Sequence, residues 1–155
     1  MTPLHPNESP GFLLWHATLR WQRDIAAALE PLDLTHVQFV LLACTWWMNG
    51  QGSRPTQVEL AAQAGTDVKM TSQVVRSLER KGLVERAVDE GDTRARRVRV
   101  TARGRRLAPR AIAVVERTDA VFFGDVDPAQ AVSFLGSLAH IPPPEGAFQR
   151  LSGRT

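Results

Sequence analysis

"PTQVELAAQAGTDVKMTSQVVRSLERKG", residues 55–82, holds two helix starts and two helix stops in one short run. Thr56-x-x-Glu59 is a capping box, in which hydroxyl and carboxylate each accept from an otherwise orphaned backbone amide. Gly65 then stops the first helix, and about three residues later a second one begins. At about 100° per residue, Met70, Thr71, Val74, Val75 and Leu78 of this second helix fall on one side. Lys69, Ser72, Gln73, Arg76 and Arg80 fall on the other, and Gly82 ends the helix. A short helix, a tight turn and a helix with a polar outer face form a helix-turn-helix unit.

The residues beyond Gly82 support that reading. "LVERAV" (83–88) and "RRVRV" (96–100) predict two short strands joined by the polar turn "DEGDTRA" (89–95). Alternation turns Val98 and Val100 inward, and Arg97 and Arg99 outward. The run "GDTRARRVRVTARG" (91–104) sets five arginines against one aspartate. Such a cluster repels itself unless solvent dilutes it or a polyanion neutralises it. From Arg54 to Arg106 the chain has thirteen Lys and Arg against seven Asp and Glu, a net of +6; the rest is acidic. A basic middle between acidic flanks points to a polyanion partner.

Upstream, "LTHVQFVLLACTWWMNG" (34–50) opens with a second capping box, Thr35-x-x-Gln38, and stops at Asn49-Gly50. It is apolar nearly all round, which predicts a central helix. Ser9-Pro10 starts a helix that should run to Glu30, before Pro31. Leu14, Trp21, Ile25 and Leu29 form one apolar stripe on it, and Phe12, Trp15 and Leu19 a second. Two stripes predict burial on two sides, as in a dimer. After the wing, Thr101 caps a long helix in which Leu107, Ala111, Val114, Thr118 and Val121 keep the spacing of a helix–helix seam. Pro109 should bend that helix or open a hydrogen bond near Arg105. Asp127-Pro128 starts a last helix to about His140, and residues 141–155 read as a proline-containing tail.

The expected fold is therefore mainly α: a winged helix-turn-helix with a small β-hairpin wing, plus N- and C-terminal dimerisation helices. One domain is expected over 1–155, with the winged lobe at 35–103 and dimerisation helices at 10–30 and 104–140. A lone cysteine excludes an intramolecular disulfide framework, and the N-terminus lacks the basic-then-apolar order of a signal peptide. The longest apolar run is about ten residues, against the roughly 20 a membrane helix needs. A cytoplasmic protein without a membrane partner is expected.

"LDLTHVQFVLL", "TQVELA", "SLERKGLVER" and "DTRARRVRVTARG" together resemble the multiple antibiotic resistance regulator (MarR) family. The last looks like that family's wing, with Val100 in place of leucine, and the resemblance runs from about Gly11 to His140. It implies a helical homodimer with two winged lobes, usually a transcription repressor released by a small molecule. Two positions depart from the family pattern. Where an Asp-Arg pair often closes the recognition helix, this chain has Arg76-Ser77. Where a glycine commonly precedes the Leu-Thr pair, it has Asp33, a change expected to be harmless.

Double-stranded DNA with a pseudo-palindromic operator is the expected partner. Lys69, Thr71, Ser72, Gln73 and Arg76 are the expected contacts from the helix, with Gln73 suited to adenine and Arg76 to guanine. Arg94 is expected in the minor groove with Asp92 orienting it, and Arg96, Arg97 and Arg99 on phosphates. Trp15, His16, Phe39, Trp46 and Trp47 are candidates to line an effector pocket for an aromatic acid. Two rival readings stand beside this one: a winged helix used only for protein contacts, and a regulator that senses oxidants through Cys44. The second needs a partly exposed, electropositive thiol, and Cys44 lies in the most apolar helix. His5, His16, His36 and His140 lack metal-ligand spacing, and there is no phosphate loop or nucleophile motif. No metal, cofactor or enzymatic activity is expected.

Overall fold

The structure, a computed structural model, describes residues 3–142 and 144. Among the described residues, six α-helices and one two-stranded sheet follow the order α1 (Pro10–Leu29), α2 (His36–Gly50), α3 (Gln57–Ala64), α4 (Val68–Arg80), β1 (Val84–Val88), β2 (Arg96–Val100), α5 (Ala102–Phe123), α6 (Pro128–Ala139). Two compact units result, Met1–Thr118 and Asp119–Thr155.

Local chemistry sets the boundaries. Ser9 Oγ accepts the Phe12 N–H ahead of α1, with Pro10 in the first turn. Both capping boxes close: Thr35 with Gln38 before α2, and Thr56 with Glu59 before α3. Asp67 caps α4 by accepting the Met70 N–H at 2.7 Å. Gly65 ends α3 at φ +69°, in the left-handed region that glycine adopts without strain. Thr101 Oγ1 accepts the Gly104 N–H at 3.1 Å at the start of α5, and α5 runs on through Pro109.

In the first unit, α2 is the axle. Leu41, Leu42 and Thr45 on it are fully buried, and the Thr45 hydroxyl is satisfied by Leu41 O at 2.7 Å. Around it pack Ile25 and Leu29 of α1, Leu60 of α3, Val75 and Leu78 of α4, Val98 and Val100 of β2, and Ala108 and Ala111 of α5. β1 and β2 are antiparallel, in a register from Val84↔Val100 to Val88↔Arg96. A bridge from Thr56 to Arg97, with Val98 N–H donating to Pro55 O at 2.8 Å, ties the wing to the entry of α3.

Asp33 is not a neutral replacement for glycine. It sits at φ +53°, which explains a glycine preference there, since a Cβ costs on the order of 1 kcal/mol in that region. The Lys81 ammonium donates to the Asp33 backbone carbonyl and pairs with the exposed Asp33 carboxylate at 3.3 Å, tying this turn to the end of α4. Met70, expected on the core side of α4, is instead 43% exposed. In α1 the expected stripes divide by position: Ile25 and Leu29 are buried and Trp21 half-buried, whereas Phe12, Leu14 and Trp15 are exposed. Along the α5 seam Ala111 is buried, Leu107, Val114 and Thr118 are half-buried, and Val121 is exposed.

The second unit holds the end of α5 and α6. α6 begins at the Asp127 cap and ends at His140, which takes the left-handed conformation. It has no buried residue, and Phe134, Leu135 and Leu138 lie open. Most of the expected tail, residues 143 and 145–155, lies outside the described residues.

Candidate nucleic-acid interface

α4 presents two faces of opposite character. Thr71, Val75 and Leu78 are buried, while Lys69, Gln73, Arg76 and Arg80 are exposed and Ser72 is half-buried. The exposed side chains of Lys69, Gln73 and Arg76 have no hydrogen-bond or ion-pair partner among the described residues. Thr71 corrects the expected contact set. Its side chain is fully buried, with Oγ1 shared with Thr66 Oγ1 at 2.7 Å and donating to Asp67 O at 2.8 Å. It fastens the turn between α3 and α4 and cannot reach a base edge.

Where the family often has an Asp-Arg pair, Ser77 of this chain enters a hydrogen-bonded network. Gln38 Nε2 donates to Ser77 Oγ at 3.0 Å, and Lys81 Nζ donates to Gln38 Oε1 at 3.1 Å. This network holds the C-terminal half of α4 to α2 and leaves Arg76 facing outward. Arg86 of β1 adds a link that the sequence reading missed, pairing with Glu79 at 2.9 Å.

The wing arginines fall into two groups. Arg94 is exposed at the tip. Asp92 orients it through the backbone, accepting the Arg94 N–H at 3.0 Å, and does not pair with the guanidinium. Arg96 is exposed, with one long contact to Thr93 O at 3.4 Å. Arg97 departs from the expectation of an outward phosphate contact. Its guanidinium pairs with Asp89 at 2.7 Å and Glu59 at 3.2 Å, and donates to Arg54 O. Arg99 is half-exposed and paired with Glu85 across the strands. Arg94 and Arg96 are therefore the wing cations with no acidic partner among the described residues, whereas Arg97 braces the wing against α3.

The Gly91 N–H and then the Arg97 guanidinium hold the Asp89 carboxyl below its ordinary range, and Asp89 in turn raises Arg97. A carboxyl with a depressed folded value stabilises the fold above its unfolded value near 4 and loses that contribution as pH falls through the folded value. Wing amides around Gly91 are accordingly expected to lose chemical-shift dispersion by NMR only when pH drops below about 4. Asp89→Asn should flatten that titration. An unchanged titration in the variant would assign the transition to another group.

The candidate effector residues differ in exposure. Phe39 is buried in the core. Trp15 and Trp47 are exposed, at 63% and 52%, and His16 stacks edge-on against Phe12 with ring centroids 4.4 Å apart. Trp46 is half-buried and lines a cleft that includes none of the other four. Burial pushes the Cys44 thiol up, away from the thiolate that oxidant sensing requires. Among the described residues no group of three or more His, Cys, Asp or Glu is placed to hold a metal ion, and no single helix is long and apolar enough to cross a membrane.

This architecture matches known regulators. The ArnR1-like winged-helix domain matches residues 30–117. The chain is 46% identical over 118 residues to the HTH-type transcriptional regulator YdcH of Bacillus subtilis, covering 76% of this chain and 80% of that one. It is 37% identical over 110 residues to the HTH-type transcriptional repressor Mb2911 of Mycobacterium bovis, covering 71% and 76%. Among solved structures, a MarR-family transcriptional regulator from Rhodococcus sp. RHA1 superposes with a TM-score of 0.77 at 26% identity, over 88% of this chain and 96% of that one. Bordetella bronchiseptica BpsR, whose DNA binding is regulated by 6-hydroxynicotinic acid, gives 0.77 at 25% identity, over 90% and 96%. With wing, helix pair and flanking helices in place, the chain belongs to the MarR family of winged helix-turn-helix transcription regulators, built on an ArnR1-like winged-helix domain.

Proposed function

We propose that the protein is a homodimeric, sequence-specific binder of duplex DNA that represses transcription in the cytoplasm and is released by a small ligand. One observation carries the reading. Lys69, Gln73 and Arg76 stand exposed and unpartnered on α4 while every side chain on the opposite face of its central turns is packed. A helix with such a face fits the major groove, where Gln can address adenine and Arg guanine. Arg94, fixed through its backbone by Asp92, would reach the neighbouring minor groove, and Arg96 the phosphates.

The dimer rests on uncovered apolar surface. Phe12, Leu13, Leu14 and Trp15 of α1 and Phe134, Leu135 and Leu138 of α6 are all exposed in the single chain. Apolar groups repeated along a helix in this way mark it for association, and each of the two helices carries such a set. A two-fold dimer would set its recognition helices about 34 Å apart, matching a pseudo-palindromic operator. The Bordetella relative supports including an effector, and exposed Trp15 and Trp47 would report its binding by fluorescence.

Sedimentation at micromolar concentration should give a dimer, and selection from random duplexes should return a pseudo-palindrome. Arg94→Ala should weaken operator binding by about 1–3 kcal/mol per subunit, most on A·T-rich flanks, where the minor groove is narrow. A monomer, or an Arg94→Ala loss that ignores flanking sequence, would contradict the dimer and the minor-groove assignment respectively.

A further inference from the structure

We propose that the cleft at the base of the wing is a binding site for a small phosphate monoester bearing a planar ring. It opens where the end of α2, the loop into α3, the end of β2 and the start of α5 meet. Trp46, Asn49, Ser53, Arg54, Arg99 and Arg105 line it. Its volume is about 430 Å³, within the range of small-ligand sites. Occupancy of this site does not depend on the DNA-binding reading.

Charge selects the ligand class. Three arginines line one cleft, and Glu85, paired with Arg99, is their one acidic partner among the described residues. Two positive charges are left over. The start of α5 adds the positive end of a helix dipole beside Arg105, with no acidic residue in the first turn to offset it. A monocarboxylate would neutralise one of the two charges. A phosphate monoester carries roughly 1.5–2 negative charges at neutral pH and offers three acceptor oxygens to the guanidinium forks.

The remaining walls fit the rest of such a molecule. The half-buried Trp46 indole gives a flat apolar surface for a planar ring. Asn49 is already committed: Oδ1 accepts the Val100 N–H at 2.9 Å, and Nδ2 donates to Ser53 O at 2.9 Å. The floor is thus fixed before any ligand arrives. Gly50 and Gly52 complete the lining, and the space beside both is open, with no atom within 4 Å of a Cβ added at either. A phosphate of bound DNA is the other source of the same chemistry. The cleft lies beside Val100, four residues along β2 from Arg96 and so about 13 Å from the tip end of the strand, which favours a free small molecule.

Phenyl phosphate is the probe, titrated by calorimetry into the full chain, with inorganic phosphate and benzoate as separate arms. Phenyl phosphate should bind at least tenfold more tightly than either. The double variant Arg54→Gln, Arg105→Gln should weaken it at least tenfold with an unchanged melting curve, since both side chains are exposed. Phenyl phosphate should also change the tryptophan emission, and Trp46→Phe should remove that change. Equal affinity for benzoate, no phenyl phosphate binding at millimolar concentration, or undiminished binding by the double variant would each overturn the proposal. So would a double variant that loses duplex affinity when the parent binds no phenyl phosphate, because the occupant would then be the DNA backbone.

Discussion

Gly104→Ala is expected to destabilise the protein by about 3 kcal/mol, near the upper end for an overpacked site. Alanine favours a helix interior over glycine by about 1 kcal/mol, so propensity alone predicts the opposite sign. Contact geometry decides. A Cβ on Gly104 would lie 2.0 Å from Leu83 O, 3.1 Å from Leu83 C and 3.3 Å from Val100 Cβ. The closest obstacle is a backbone carbonyl, which cannot swing aside as a side-chain tip can. That carbonyl is also held in place by the Thr101 N–H at 3.0 Å. Relief would require α5 to back away from the junction where Leu83, Val84 and Val100 are buried. For a chain of this size the loss corresponds to a melting temperature lower by roughly 6–12 °C. Gly11→Ala supplies the control, because Gly11 lies in the first turn of α1 with nothing within 4 Å of its added Cβ. It should leave the melt unchanged or raise it slightly. A Gly104→Ala melt within about 2 °C of the parent, well short of that shift, would show that α5 is not seated tightly on the wing base.

The elements most legible from sequence were those set by local chemistry. Capping hydroxyls, carboxylates and amides act over three residues, so Thr35-x-x-Gln38 and Thr56-x-x-Glu59 announced α2 and α3 without tertiary knowledge. The wing was legible because Val98 and Val100 alternate with arginines, so the strand has one face that buries both valines and another that carries the cations. Contacts between distant segments were not legible. Alternation sends Arg97 outward, but nothing local reveals that Glu59 and Asp89 meet it there. The angular position of Thr71 put it with Val75 and Leu78, and that geometry held against its inclusion among the DNA contacts. Met70 lies in the first turn of α4, where its angular position suggested the core but its side chain remains exposed. The tryptophans were the least informative, because composition says that they must be covered or used without saying by what.

Gln73→Ala carries the second large expected effect, about 2–6 kcal/mol on a palindromic operator. A well-placed bidentate contact discriminates among bases by about 1–3 kcal/mol, and a two-fold dimer loses it twice. The side chain suits the measurement. Gln73 is exposed and unpartnered among the described residues, so its removal should not disturb folding and the change reports recognition alone. Two neighbours give contrasting outcomes. Thr71→Ala removes buried hydrogen bonds to Thr66 and Asp67 and should lower stability, leaving the preference among duplexes intact in the folded fraction. Arg97→Ala releases the brace to Asp89 and Glu59, so it should loosen the wing and weaken all duplexes alike. Titrations of each variant against the selected operator and a scrambled duplex, at several salt concentrations, separate the three. Gln73→Ala should collapse the ratio between operator and scrambled affinities while leaving the salt slope near its parent value, because a base contact releases no counterions. An equal loss on both duplexes would remove α4 as the element that reads sequence, even with the protein folded and still bound to DNA.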